Sequence, residues 1–346
     1  MKGDFMIHFS CDYCEGAHPL ILEALCQTNC EQTEGYEEDH FCDHARDLIR
    51  DKIACDHCDI HFLSGGTQTN LTFITHVLRP FEAVISADTG HICTHETGAI
   101  EATGHKIIAM PGDNGKLNVP LIKKALSDHT DHHMVLPKLV YLSNPTEIGT
   151  IYTKAELQAI HSFCHEKDLI LFIDGARLAS ALTAESNDLS LPDYPKLCDA
   201  FYIGGTKCGA LFGEALVIIK PQLAEHFNFT LKQRGGLFAK GRILGIQFEQ
   251  LFKDHLYTDL GAHTNRLANR LKVALENAGF DFWVDSPTNQ IFPILPNKLI
   301  ENLRKDYAFR DQCVFDSDHT VVRFVTSWAM TDEMVDAFIK SLNKYL

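Results

Sequence analysis

The chain has 346 residues, 45% hydrophobic and 22% charged, the balance of a globular protein with a sizeable core. That length exceeds the roughly 250–300 residues at which one core stops growing, so a large and a smaller domain are expected. The 31 basic and 46 acidic side chains leave a formal charge of −15, which disfavours nucleic acid and anionic membrane as partners; any anion must be held by a local site.

No run of about 18 apolar residues occurs, and the opening MKGDFMIHFSCDYCEG lacks the basic start and apolar core of an export signal, so a cytoplasmic location is expected. The 12 cysteines then read mostly as free thiols. Cys11-x-x-Cys14 and Cys55-x-x-Cys58 together have four-ligand zinc spacing, with His18, His57 and His61 nearby. Cys55–Cys58, however, falls between the helix-like DHARDLIRDKIA and the strand-like DIHFLSG, not in a knuckle of turn residues. No metal is expected, and a zinc-binding scaffold stands as a non-enzyme alternative.

From about residue 60 to 220, short β-branched or aromatic runs alternate with helix-like stretches, the pattern of a layered α/β domain with a mostly parallel sheet. IHFLS is the first strand candidate and runs into Ser64-Gly65-Gly66-Thr67, ahead of the amphipathic TQTNLTFITHVL. A strand end and glycine turn feeding a helix offers backbone N–H groups and the positive end of a helix dipole to a phosphate. AVISAD follows, then His91, His95 and Glu96 in a segment closed by Gly98 and Ala99. KIIAMP, the helix-like VPLIKKALSDH, LVYLSNP and the helix-like KAELQAIHSFCHEK come next.

LILFIDGARL is an apolar run that ends in Asp174, with Arg177 three residues later. Such an acid has structural readings as well, a helix cap or an ion pair with Arg177. AFYIGGTK then delivers Lys207 into a loop of small residues, where there is room for a planar ligand beside the amine. The G-x-x-x-x-G-K-[ST] phosphate loop is absent. A carboxylate and a lysine on successive strands suit a pyridinium cofactor: the lysine forms the imine and the acid keeps the ring nitrogen protonated. ALVIIK completes the strands. After Gly236 a long helical stretch, RILGIQFEQLFKDHLYTDLGAHTNRLANRLKVALENAG, is followed by QIFPILP, a charged helix, VVRFVTSWA and a last amphipathic helix, which reads as a smaller α+β domain. The expected division is 1–235 for the cofactor-binding domain with its N-terminal arm, and 236–346 for the small one.

The ordered set HFSCDYCEGAHPLILEAL, SGGTQTN, HICTHETGA, FIDGARL, the lysine loop and VVRFVTSWAMTDEMVDAF resembles the threonine aldolases of the β-eliminating lyase group, fold-type I pyridoxal-phosphate (PLP) enzymes. The resemblance spans nearly the whole chain. It implies that Lys207 forms the Schiff base, Asp174 pairs with the pyridine nitrogen and Arg177 contacts the cofactor or substrate side. It further implies that His91 stacks on the ring, that Gly65, Gly66 and Thr67 hold the phosphate, and that Arg323 binds the substrate carboxylate. For proton transfer it leaves His91, His95 or a water on Glu96 or Glu147. The reaction implied is retro-aldol cleavage of threonine or a related β-hydroxy-α-amino acid to glycine and an aldehyde, in a homodimer or homotetramer; β-elimination and transamination are the alternatives.

Three departures from the family pattern stand out. The N-terminal Arg-Ser-Asp run appears as Ser10-Cys11-Asp12, so the serine contact to the substrate carboxylate falls to Ser10 or Cys11. Phe238 stands about where the family has an arginine, which hints at an aryl substrate such as phenylserine. Asn144–Gly149 replaces a segment that often brings a second histidine.

Overall fold

The computed structural model describes residues 6–346. The first half runs β1 (Ile7–His8), α1 (Pro19–Gln27), α2 (His40–Ile53), β2 (Asp59–Leu63), α3 (Gly66–Val77), β3 (Glu82–Ala87), α4 (His91–Thr94), β4 (Ile107–Met110), α5 (Val119–Ser127) and β5 (Leu136–Ser143). It continues through α6 (Lys154–Glu166), β6 (Ile170–Asp174), α7 (Leu178–Leu182), β7 (Ala200–Gly204), β8 (Glu214–Ile218), α8 (Pro221–Ala224), α9 (Phe227–Gln233), α10 (Arg242–Phe252) and α11 (Leu256–Asn277). The last part is β9 (Gln290–Ile291), β10 (Ile294–Pro296), α12 (Asn297–Leu303), β11 (Tyr307–Ala308), β12 (Arg310–Val314), β13 (His319–Val325) and α13 (Asp332–Tyr345).

All seven strand-like runs between residues 60 and 220 enter one sheet, in the order β2-β8-β7-β6-β5-β3-β4. Six of them run parallel, and β8 alone is antiparallel to both its neighbours, β2 and β7. These strands read as continuous apolar runs because both faces are covered. Leu171, Ile173, Phe201 and Ile203 enter the cluster packed under α2, α6 and α10, while Ile170, Phe172, Ala200 and Tyr202 enter the cluster under α3 and α9. Polar caps fix where the covering helices begin: Thr153 and Glu156 form a reciprocal box at α6, and Asp39 caps α2.

The long helical stretch after Gly236 is two helices, interrupted at Lys253-Asp254-His255. No glycine or proline marks the break. Leu244, Phe248, Leu251 and Phe252 of α10 pack into the large-domain core, as do Tyr257 and Leu260 at the start of α11, whereas Leu267, Ala268, Leu271 and Leu275 further along α11 pack into the small one. The buried clusters therefore part later in the chain than the expected 235/236 division.

The small domain has antiparallel β10-β13-β12, with β9 also on β13, backed by α12, α13 and the end of α11. The N-terminal arm belongs to it too. β1 pairs with β11, and Phe9 is fully buried edge-on against Phe324 and Phe338 at 5.7 and 5.3 Å. This anchor hands Ser10–Asp12 across to the carboxyl ends of the large sheet, where ligands collect in open α/β folds. No helix among the described residues is long and apolar enough to cross a membrane.

Candidate active site

The loops leaving β6 and β7 touch backbone to backbone. A Cβ on Gly175 would stand 2.0 Å from the Tyr202 carbonyl oxygen, and one on Gly204 2.3 Å from that of Ala176, so only glycine permits the approach. Asp174 and Lys207 thereby open into one cleft of about 260 Å3, lined also by Ser64, Gly65, Gly66, Thr67, His91, Glu147, Arg177, Tyr202 and Glu214. A larger cleft of about 480 Å3 beside α11, lined by Arg266, Lys272 and Asp285 among others, holds no comparable set.

Asp174 closes β6 and is buried. Its Oδ2 accepts from Tyr141 Oη at 2.5 Å and Asn70 Nδ2 at 3.1 Å, and its Oδ1 from the Ala176 N–H at 3.0 Å. Burial alone would raise its pKa, but the facing His91 and the bonds from Tyr141, Tyr202 and Ala176 outweigh it and hold the carboxyl below its usual range. Asn70 also donates to Glu96 Oε1 at 2.7 Å, and the same oxygen lies 2.8 Å from His91 Nδ1. The backbone N–H of His91 and the hydroxyl of Ser143 both donate to Glu147 Oε1, at 2.8 and 2.6 Å. Asp174 and Glu96 thus share the Asn70 amide, while Glu147 is held by Ser143 and the His91 backbone.

Lys207 forms no ion pair or hydrogen bond among the described residues. Burial first, and the Arg177 charge second, press its amine below the ordinary lysine value, against the pull of Asp12, Asp174 and Glu214. Arg177 is clamped elsewhere: Nε and Nη2 donate to Asp12 Oδ2 and Oδ1 at 2.6 and 3.0 Å, and Asn289 Nδ2 donates to the same carboxylate at 2.9 Å. Arg323, on β13, touches the Ser10 carbonyl oxygen at 3.4 Å, while its Nε is buried without a partner among the described residues. A guanidinium left short of acceptors is a site for a carboxylate.

The phosphate end is a helix start. No side chain caps α3 at Gly65, so the first-turn N–H groups of this 12-residue helix remain available beside Thr67. An ionised buried carboxylate, an unpaired lysine, an uncapped helix N-terminus and an unsatisfied arginine together fit PLP and an amino-acid substrate.

Other expected residues fall differently. His95 is exposed, 5.7 Å ring to ring from His91 and outside the cleft lining; burial of its ring and the His91, Arg323, Arg310 and Lys207 charges press its pKa down. Ser10 meets Arg323 through its backbone, and the Cys11 thiol turns to Cys14, 3.3 Å away. Phe238 packs on the large core and is not among the residues that line the cleft. Cys58 donates to the Cys55 carbonyl oxygen, and no group of three or more metal-binding side chains is gathered among the described residues. Asp12, Asn70, Tyr141, Glu214 and Asn289 were not singled out for the site from sequence; Asn70 lies in the SGGTQTN motif and Asp12 beside Cys11, but their partners are 104 and 165 residues distant.

The profile of the beta-eliminating lyase family matches residues 12–296. A low specificity L-threonine aldolase of Pseudomonas aeruginosa is 29% identical over 333 residues, covering 92% of this chain and 96% of the relative. A solved threonine aldolase of Leishmania major is 48% identical and superposes with a TM-score of 0.97, covering 98% of this chain and 99% of that one. An aspartate aminotransferase of Thermus thermophilus, 13% identical with a TM-score of 0.73 over all of this chain and 93% of its own, shares the fold alone. The chain accordingly belongs to the beta-eliminating lyase family, in its threonine aldolase group, and is a PLP-dependent lyase of fold type I.

Proposed function

We propose that the cleft cleaves L-threonine or a related β-hydroxy-α-amino acid to glycine and an aldehyde. The observation that carries this is the convergence of Lys207, Asp174, Arg177 and a glutamate-held His91 on one cleft, in a chain 48% identical to a threonine aldolase. Lys207 and the α3 N-terminus would hold PLP, and Asp174 would pair with its ring nitrogen. When bound, PLP supplies the electron sink for the α-carbon.

Arg323 pairs with the substrate α-carboxylate and so fixes which α-carbon bond faces the sink. Glu96 accepts from His91 Nδ1, a tautomer assigned from this bond, and leaves Nε2 free to accept a proton. His91 Nε2 takes the β-hydroxyl proton, which releases the aldehyde. His95 and Glu147 are held in reserve: His95 stands at the rim, and Glu147 is already engaged by Ser143 and the His91 backbone.

The test is Lys207→Ala. Loss of both the visible absorbance of bound PLP and glycine release from threonine is expected; a variant that retains both overturns the proposal. Product analysis separates glycine plus aldehyde from ammonia plus a keto acid, the outcome of β-elimination.

A further inference from the structure

Asn70 stands one turn into α3 from Gly66, on the same face of the helix. Gly66 lines the cleft; Asn70 is fully buried and is not among the lining residues. Asparagine is a poor residue for a helix interior, and a buried amide requires partners at both ends. Only one end has them: Nδ2 donates to Asp174 Oδ2 at 3.1 Å and to Glu96 Oε1 at 2.7 Å, while Oδ1 has no partner among the described residues. Chemistry fixes the amide orientation, because both neighbours are carboxylate oxygens and only the NH2 group can donate to them. The two carboxylates do not depend on Asn70 equally. Asp174 keeps the bonds from Tyr141 Oη at 2.5 Å and the Ala176 N–H at 3.0 Å without it. The Glu96 side chain is wholly buried; among the described residues its Oε2 has no partner, and its Oε1 is held by Asn70 and by His91 Nδ1.

We infer that Asn70 is a positioning residue for His91, acting through Glu96: it holds the carboxylate where Oε1 accepts from His91 Nδ1, 2.8 Å away, and so keeps Nε2 as the free acceptor. Without the amide, the Glu96 carboxylate has only its bond to His91 to set its rotation, and the Nδ1–H loses a fixed acceptor. A neutral imidazole then shares its proton between the two nitrogens, and for part of the time Nε2 carries it and can accept nothing. Asp174, with two donors left, stays in place. The effect of losing Asn70 therefore falls on the proton acceptor and spares the cofactor's ring-nitrogen partner.

This inference rests on His91 as the base of the proposed reaction, and its test separates the two. Asn70→Leu fills nearly the same volume and removes both N–H donors. In the full-length protein kcat for threonine is expected to fall about 10–100-fold, while KM and the dissociation constant of PLP, measured by absorbance titration, change by less than about threefold. In a His91→Asn background the same substitution is expected to leave kcat within about twofold, because its target is gone. A second readout needs no cofactor. Diethyl pyrocarbonate acylates an unprotonated imidazole nitrogen, and labelling of His91 in the cofactor-free protein, separated from His95 by tandem mass spectrometry, is expected to slow about fivefold in Asn70→Leu. Should that variant not fold, Asn70→Asp, which keeps the shape and has no N–H to give, is read by the same measurements. An unchanged kcat, a loss that persists in His91→Asn, or an equal loss of PLP affinity overturns the inference, as does a rate of His91 labelling that does not fall. A wild type that binds no PLP or releases no glycine counts instead against the proposed function, and the labelling comparison still decides the role of Asn70.

Discussion

Replacing Asp12 by alanine isolates the contact that ties the N-terminal arm, the large sheet and the small domain together. Asp12 is fully buried and receives three hydrogen bonds, two from Arg177 and one from Asn289. Burial works to raise its pKa, but the Arg177 and Lys207 charges and the bonds from Arg177 and Asn289 hold it below the usual range. Removing one partner of a buried pair strands the other, at a cost of about 3–5 kcal/mol. Unfolding entropy of about 2.1 cal/mol/K per residue amounts to roughly 0.7 kcal/mol/K for this chain, so the melting midpoint should fall by about 4–7 °C. Calorimetry of Asp12→Ala measures this, and Asn289→Ala, which removes one bond to the carboxylate and one to the Thr326 carbonyl oxygen, should fall by about 2–4 °C. The sign with pH follows from the lowered carboxyl: its contribution is complete above the unfolded aspartate value and is lost as pH falls through the folded one, so variant and wild type should converge in acid. A midpoint for Asp12→Ala within about 1 °C of wild type at neutral pH would refute the clamp.

His91→Asn should retain PLP absorbance and lose roughly 10²–10⁴ in kcat for threonine, the usual scale of a positioned base; a loss below about tenfold assigns the proton to another group. Arg323→Met should raise KM for threonine by about 10–100-fold, as expected for losing charge-assisted bonds, and an unchanged KM removes Arg323 from the carboxylate site. His61 is a separate, structural case: burial, followed by the Arg46 and His76 charges, lowers its pKa to about 3. It therefore stays neutral in the folded chain while the unfolded chain takes up a proton below about 6.5, so stability falls with pH between those values by about 1.4 kcal/mol per unit from this group. His61→Phe should flatten the stability profile by that slope between pH 6 and 4, and denaturant titrations with parallel slopes for both proteins would contradict it.

The large-domain strands and the main site residues were legible because the pattern is local. A parallel strand buried on both faces is an uninterrupted apolar run, and the residue that ends it, Asp174, or lies just beyond it, Lys207, reaches the ligand end of the sheet whatever the strand order. Glycines at 175 and 204 carried the same message, since two loops in backbone contact leave no space for a Cβ.

Direction and distance were not local. An apolar run has the same composition in either orientation, so the antiparallel setting of β8, and with it the presence of Glu214 at the cleft, emerged only when β8 paired with β2 and β7. The amphipathic pattern from 242 to 277 carries no interruption, yet the structure breaks it at Lys253–His255, and the passage from the large core to the small one comes later, between Leu260 and Leu267 of α11. Asp12 acquires its role through Phe9, which anchors in the small domain and brings the aspartate to Arg177 across 165 residues of sequence. The sequence by itself pointed to the cofactor class and to a candidate lysine and acid for it, because strand ends and small-residue loops are written in neighbouring residues. Tertiary structure alone decided which charges surround that lysine, because burial and Coulomb forces act through space between segments far apart in the chain.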